Sequence, residues 1–419
     1  MVPRARNTLA RNALPIVIAG GGIGGLACAL ALAQRGFRTI VCEQAFEFGQ
    51  VGVGLQVAPN ALSVLDALGV GDRVKSEGLL IERMVMNDGI DGQTVCDIPC
   101  GADFIRRFGN PYAVAHRADV HGALLQGCMA LASFIELRTN SRVVGYANDG
   151  ASVRVQLQDG EILQAAGLVG ADGVRSRVRQ QLVGDGEPSP AGAVIYRALV
   201  PAARMPRECQ HPFPTLWVGP RAHAIYYPVR DWSEFNFAIT VHAPPDDTWE
   251  GETDAQKPRA ALDGWSHEVT QLVDIQPRFQ RYVIRHRAPI DNWTEGAVTL
   301  LGDAAHPMVQ YIAQGAAQAL EDAICLAEEV DRADGDMPAA FLAYQAVRIV
   351  RSARVQISSL MLDRLYHVSG VERLVRNSIF EGRQAADYYD RLAWLFTAPD
   401  YVQRALADRT QPDALRRLG

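Results

Sequence analysis

The sequence predicts an α/β fold in three parts: a parallel-sheet domain assembled from separated segments, an antiparallel sheet domain inserted between them, and a helical C-terminal segment. Three observations point there. Apolar runs that end in glycine recur near residues 14, 168 and 298, as buried parallel strands do. Residues 191–243 break into short β-type runs separated by turn residues. Beyond residue 315, apolar residues return at spacings of three and four. The 419 residues suit two to three domains, at roughly 150 residues per domain. With 48% hydrophobic and 21% charged residues, the composition excludes a disordered chain, a coiled coil and a collagen-like repeat. Forty-one basic against 47 acidic residues leave a net charge of −6, without the basic excess of a nucleic-acid binder. Seven cysteines show neither metal-ligand spacing nor a disulfide framework. No metal and a reducing, cytoplasmic setting are therefore expected.

Leu14-Pro-Ile-Val-Ile-Ala19 reads as the first strand. Residues 12–34 carry no charge and follow Arg4, Arg6 and Arg11, which imitates a membrane span. Five glycines between positions 20 and 25 make a poor spanning helix, so no span is expected. Those glycines form Gly20-x-Gly22-x-x-Gly25, followed by Leu26, Leu30 and Ala33 at helical spacing. A second strand, Arg38–Cys42, ends in Glu43, 18 residues after Gly25. Each part has a task in holding a dinucleotide. Gly20 permits the tight turn, Gly22 lets backbone approach a pyrophosphate, and Gly25 lets helix and strand pack closely. The helix N-terminus offers free N–H groups to the phosphates. Glu43 suits a ribose hydroxyl and disfavours a 2′-phosphate. These residues do not separate FAD from NAD.

Leu168-Val-Gly-Ala-Asp172-Gly173 closes another apolar strand, and Val174–Leu182 then reads as helical. Val298-Thr-Leu-Leu-Gly302-Asp303 is a third, followed by His306. A long helix is expected from near Gln314, with Glu321 and Asp322 in its early turns. Both Asp172 and Asp303 sit at carboxyl ends of strands, where α/β sheets bind ligands. Alone, each would read as a turn residue or helix cap.

Taken together and in this order, Gly20–Gly25, Asp172-Gly-Val-Arg-Ser176-Arg-Val-Arg179 and Gly302-Asp303 resemble the marks of the single-component, FAD-dependent aromatic hydroxylases. The resemblance covers residues 14–395. Its salicylate hydroxylase branch is matched by Gly52-x-Gly-Leu-Gln56, by His116-Arg117-x-Asp119-x-His121 and by the segment 306–322. Gln310, and Gly219–Tyr227, are more similar to those members that hydroxylate 3-hydroxybenzoate to gentisate than to those that turn salicylate into catechol.

The resemblance implies a Rossmann-like FAD-binding fold of the p-hydroxybenzoate hydroxylase type. Its segments would be 1–80, 81–189 with the Asp-Gly motif, and 286–335 with the Gly-Asp motif. Residues 190–285 would be the substrate-binding sheet and 336–419 the C-terminal helical segment. FAD would lie against Gly20, Gly22 and Gly25, with Glu43 on the adenosine ribose, Arg117 on the nucleotide and Asp303 on a ribityl hydroxyl. Gln56 and the backbone around Gly315 would flank the isoalloxazine. Asp172, counted with the cofactor-binding residues, and Arg179 would be partly structural or involved with the nicotinamide donor. NADH or NADPH would be a transient electron donor, a small aromatic acid and dioxygen the other reactants, and a homodimer the assembly.

Within Arg221–Tyr227, a period of two puts Arg221, His223, Ile225 and Tyr227 on one strand face. In this chemistry a flavin C4a-hydroperoxide attacks an electron-rich ring, and a phenolate reacts far better than a phenol. A histidine near pKa 6.5 facing a phenol near 10 leaves about 5 kcal/mol to offset. His223 is the expected base or partner of the hydroxyl, Gln310 a donor to the same oxygen, and Tyr227 the residue that orients carboxylate or ring. His116, His121 and His306 read as structural. Arg348, Arg351 and Arg354 read as a solvated basic face or a subunit contact, and Arg404, Arg409, Arg416 and Arg417 as a solvated tail. A flavin-binding sensor without turnover is the rival of a different class; no DNA-binding module accompanies it.

Overall fold

The computed structural model describes residues 14–409 except 50–52, 151 and 245. Arg4, Arg6 and Arg11, the first two residues of the membrane-like stretch 12–34, Gly52, and the tail arginines 416 and 417 lie outside these. Among the described residues, no helix is long and apolar enough to cross a membrane.

The first sheet has six strands, in the order 294–295, 298–300, 167–170, 16–19, 39–42 and 135–138. All pair in parallel except the 294–295 edge. This order brings the three fingerprints together. Strands Val298–Leu300, Gly167–Gly170 and Ile16–Ala19 lie side by side, so Gly302-Asp303, Asp172-Gly173 and Gly20 emerge at one edge. The chain reverses its winding direction at Ile16–Ala19, the switch point where such sheets open a crevice. Buried aliphatic residues from these strands and from the helices Ile23–Gln34 and Gly315–Arg332 form the main core.

The second sheet has eight strands, in the order 251–254, 278–286, 189–201, 234–242, 222–229, 215–219, 83–88 and 94–99. Strand Arg83–Asp88 pairs in parallel with Thr215–Gly219, and Thr94–Pro99 extends the edge. Residues 83–99 thus join this sheet, although the 81–189 boundary assigned them to the nucleotide domain. A hairpin with no distinctive turn gives no sign of which distant edge it will extend. One face packs Phe235, Phe237, Tyr226 and Trp217 against the helix His267–Asp274. The other face looks toward the first domain.

Helix Met337–Tyr366 has 30 residues, about 45 Å at 1.5 Å per residue, and touches both domains. Near its start the Tyr344 hydroxyl donates to Leu300 O at 3.1 Å. Further on, Gln356 Nε2 donates to Pro307 O at 3.0 Å. Of the three arginines expected on a solvated or subunit-facing surface, Arg348 is buried and Arg351 half-buried, whereas Arg354 is exposed as expected. Arg348 is fully buried on Glu321 and Asp322, Arg351 binds Glu321, and the Arg354 guanidinium lies 3.8 Å from the Trp394 ring centroid. Acids on Gly315–Arg332 face this helix and draw the cations in. Arg404 is likewise paired with Glu328, and the Arg409 guanidinium lies against Gly69.

Candidate active site

Between the two sheets lies a cavity of about 1220 Å³, larger than the 300–1,000 Å³ typical of a single small-ligand pocket. One end is lined by Gly20, Gly22, Glu43, Arg117, Asp172, Asp303 and Gly315. The other is lined by residues of the large sheet, including His223, Ile225, Tyr227, Asn236 and Thr240. All twelve residues singled out from the sequence take part in this neighbourhood; eleven line the cavity and Gly25 lies just behind it.

Gly20 has φ +107°, a region that L side chains avoid, and a methyl there would fall 2.4 Å from Ala171 O. A methyl on Gly25 would fall 2.0 Å from Gly20 O. Gly22 precedes the first turn of Ile23–Gln34. The Glu43 carboxylate accepts from Gly21 N at 2.8 Å and Ala45 N at 2.9 Å, which ties the second strand to the glycine turn. His121 Nε2 meets Gly21 O at 2.8 Å, and His116 Nδ1 accepts from Ala118 N at the start of Arg117–Ala130. Both histidines brace the cradle. Arg117 begins the same helix; its Nε is buried without a protein partner.

The Asp172 carboxylate accepts from Ser176 Oγ, and from Arg177 N at 2.7 Å, capping the helix Arg177–Leu182. Its side chain is therefore engaged in the turn. Fully buried Arg179 binds Asp185 and donates to Ala304 O and Ala305 O, lacing the Asp-Gly segment to the Gly-Asp loop. Asp303 is exposed in the turn Gly302–Ala304, and a methyl on Gly315 would lie 3.9 Å from its Oδ1. Gly315 opens an 18-residue helix whose N-terminus meets the cavity. His306 does not line the cavity. Its Nε2 lies 2.6 Å from Asp322, which also accepts from Gly302 N at 2.9 Å. That is the structural role expected of it.

On the large sheet, strand pairing sets His223 opposite Thr240, and Tyr227 opposite Asn236. His223, Ile225 and Tyr227 face the cavity, while Ala222, Ala224 and Tyr226 join the opposite core. Arg221 drops out of the strand into a turn at φ +59°. Gln310 Nε2 donates to Thr240 Oγ1 at 3.1 Å, so Gln310 sits over the His223 row. Tyr227 packs on Gly54: a methyl there would lie 2.4 Å from its Cε2. Gly54 N donates to Asn236 Oδ1 at 3.2 Å, and Gln56 Oε1 accepts from the Tyr112 hydroxyl at 2.9 Å. The short strand Gly54–Val57 is therefore stitched to the large sheet beside the cavity.

Four contributors escaped sequence reasoning. Arg197 lines the cavity near Tyr227, and its Nε is buried without a protein partner. Tyr311 stands edge-on to His223, with ring centroids 5.0 Å apart. His367 Nε2 lies 2.8 Å from His223 Nδ1, and Asp363, four residues earlier on the long helix, engages His367 Nδ1 at 3.0 Å. An acid and a histidine at i, i+4 was a readable signal, but nothing local tied it to residue 223. Burial and the neighbouring His367 hold His223 well below the usual imidazole range.

The cradle fits FAD. The glycine turn cannot accept side chains, a helix N-terminus and the partnerless Arg117 Nε suit phosphates, and the volume exceeds that needed for a small acid alone. Comparison with known proteins agrees. An FAD binding domain matches residues 13–333. The chain is 44% identical to 3-hydroxybenzoate 6-hydroxylase of Polaromonas naphthalenivorans (strain CJ2), over 91% of this chain and 96% of that protein. It is 40% identical to 3-hydroxybenzoate 6-hydroxylase 1 of Aquipseudomonas alcaligenes, over 91% and 97%. Klebsiella pneumoniae HpxO, solved with FAD and uric acid, superposes with TM-score 0.79 at 25% identity, covering 92% of this chain and 97% of that one. A salicylate hydroxylase substrate complex shares the fold, with TM-score 0.79 at 22% identity over 95% and 98%. The chain is an FAD-binding flavoprotein. Within that class it belongs to the FAD-dependent aromatic monooxygenases.

Proposed function

We propose that this enzyme hydroxylates 3-hydroxybenzoate to gentisate, consuming NADH and dioxygen. One observation carries the reading: His223, Gln310 and Tyr227 line a single cavity wall facing the FAD cradle, in a chain 39–44% identical to three 3-hydroxybenzoate 6-hydroxylases. Bound FAD, once reduced by the nicotinamide donor, supplies electrophilic oxygen from dioxygen. The chain's own residues do the rest. Gly20, Gly22 and the helix N-terminus behind them hold the pyrophosphate, Glu43 the adenosine ribose, Arg117 the nucleotide and Asp303 a ribityl hydroxyl. Gln56 and the backbone at Gly315 flank the ring system. His223 Nε2 accepts the phenol proton and Gln310 donates to the resulting oxyanion. Tyr227 and the neighbouring Arg197 face the carboxylate, whose charge suits an arginine that has no acidic partner.

Purified yellow protein given 3-hydroxybenzoate should form gentisate with matching NADH loss. Catechol formed from salicylate would overturn this choice of substrate, and stimulation by neither acid would overturn the hydroxybenzoate reading altogether. A cytoplasmic setting accords with seven buried, unpaired cysteines. A homodimer accords with the apolar surface of the last helices, where Val350, Ile357, Met361, Val371 and Leu374 are exposed. Light scattering should then give twice the chain mass, and Val350→Glu with Val371→Glu should halve it.

A further inference from the structure

His223 belongs to a chain of hydrogen bonds that leaves the cavity. Its Nδ1 lies 2.8 Å from His367 Nε2. His367 Nδ1 lies 3.0 Å from Asp363 Oδ1, and His242 Nε2 lies 3.2 Å from the same oxygen. Accessibility rises along the chain. His223 is 4% exposed, whereas the side chains of Asp363 and His242 are 35% and 32% exposed. Asp363 accepts only, so His367 carries its proton on Nδ1 and leaves Nε2 as acceptor. His223 must then carry its proton on Nδ1, which leaves Nε2 bare. That nitrogen has no partner among the described residues, and His223 lines the cavity. The hydrogen bonds thus select the tautomer a base needs.

We propose that His367 and Asp363 are positioning residues forming a proton exit behind His223, carrying the substrate's phenolic proton from the cavity to the protein surface. This rests on the reading of His223 as base. The phenol O–H breaks as His223 Nε2–H forms. The His223 Nδ1 proton passes to His367 Nε2, giving an imidazolium beside the Asp363 carboxylate. Its Nδ1 proton leaves through Asp363 to water, and a returning proton resets both rings. The need for such a route follows from burial. An isolated buried imidazole is a weak base, and burial depresses both His223 and His367. Burial pushes Asp363 up, but His242 and His367 outweigh it and keep its carboxyl ionised. The surrounding groups from every neighbouring element are few: His242 on Glu234–His242, Tyr311 with its hydroxyl against Asp363, and Tyr366 5.6 Å from the His223 ring. Asp363, which engages both His367 and His242, supplies the countercharge.

Asp363→Asn and His367→Gln holoenzymes, assayed with 3-hydroxybenzoate from pH 6 to 10, test the route. Gentisate formation near pH 7 should fall by roughly 10²-fold, the lower end of what a general base contributes. KM should hardly move, and the rate should recover toward pH 10 as the phenol ionises unaided. Flavin absorbance and the urea midpoint report folding. A parent-like pH profile in both variants overturns the exit. So does a loss that high pH does not rescue in folded, flavin-loaded protein. His223→Ala in parallel separates the two claims: if it hydroxylates normally the base assignment fails, and if it alone is impaired only the exit fails.

Discussion

Arg348→Ala is expected to lower stability by about 3–5 kcal/mol, read as a fall in the urea midpoint. Arg348 is fully buried. Its guanidinium binds Asp322 at 2.6 Å, Glu321 at 2.7 Å, the Tyr401 hydroxyl at 2.5 Å and Gln318 Oε1 at 2.8 Å. Removing it takes one cation from two buried carboxylates, leaving Glu321 to Arg351 and Asp322 to His306. Asp322 also holds Gly302 N and His306, and Glu321 holds Asn60, so the Gly-Asp loop should loosen and flavin content fall with stability. Acidity should erase the difference. Burial pushes both carboxyls up, but His306 and Arg348 outweigh it for Asp322, as Arg351 and Arg348 do for Glu321; both stand below their ordinary range. A depressed carboxyl adds stability above the unfolded value near 4 and loses it as pH falls toward the folded value. Parent and variant curves should therefore converge below about pH 4. A variant as stable as the parent at pH 7 sinks the argument.

His223→Ala should cut gentisate formation by roughly 10²–10⁴-fold, the usual contribution of a positioned base. FAD should remain bound, because His223 lies on the large sheet and no cradle contact runs through it. NADH oxidation should continue, with hydrogen peroxide appearing in place of gentisate. His223→Asn, which can still bond His367, controls for the space left by the ring. Hydroxylation equal to the parent's in either variant would remove His223 from the mechanism.

Much of the architecture was readable because its signals are local. An apolar run, a glycine that permits a turn and a following helix occupy contiguous residues at 16–34 and 167–182, and parallel pairing then sets those strand ends together. Period two alone oriented His223, Ile225 and Tyr227 toward one face. What escaped depends on partners far along the chain. The stripe Arg348, Arg351 and Arg354 has the spacing of a wet surface; only Glu321 on another helix draws Arg348 and Arg351 inward, while Arg354 stays exposed against Trp394. His367 stands 144 residues from His223, and no periodicity links them. Arg197 sits in an apolar strand, where sequence cannot tell which distant groups will leave it without an acid.

The strand order also governs how this catalyst comes into being. Ile16–Ala19 pairs with Gly167–Gly170, about 150 residues away, and that strand with Val298–Leu300, about 130 further on. Pairings this remote are slow to form, since the intervening loop entropy precedes any gain. A nascent chain halted at residue 200 would bear the glycine fingerprint yet lack the Gly-Asp loop and the helix beginning at Gly315. No short fragment contains the cradle, whose residues run from Gly20 to Gly315. Cofactor capture is consequently a late event in biosynthesis, and a proteolytic cut anywhere between 20 and 315 severs the pieces of one pocket.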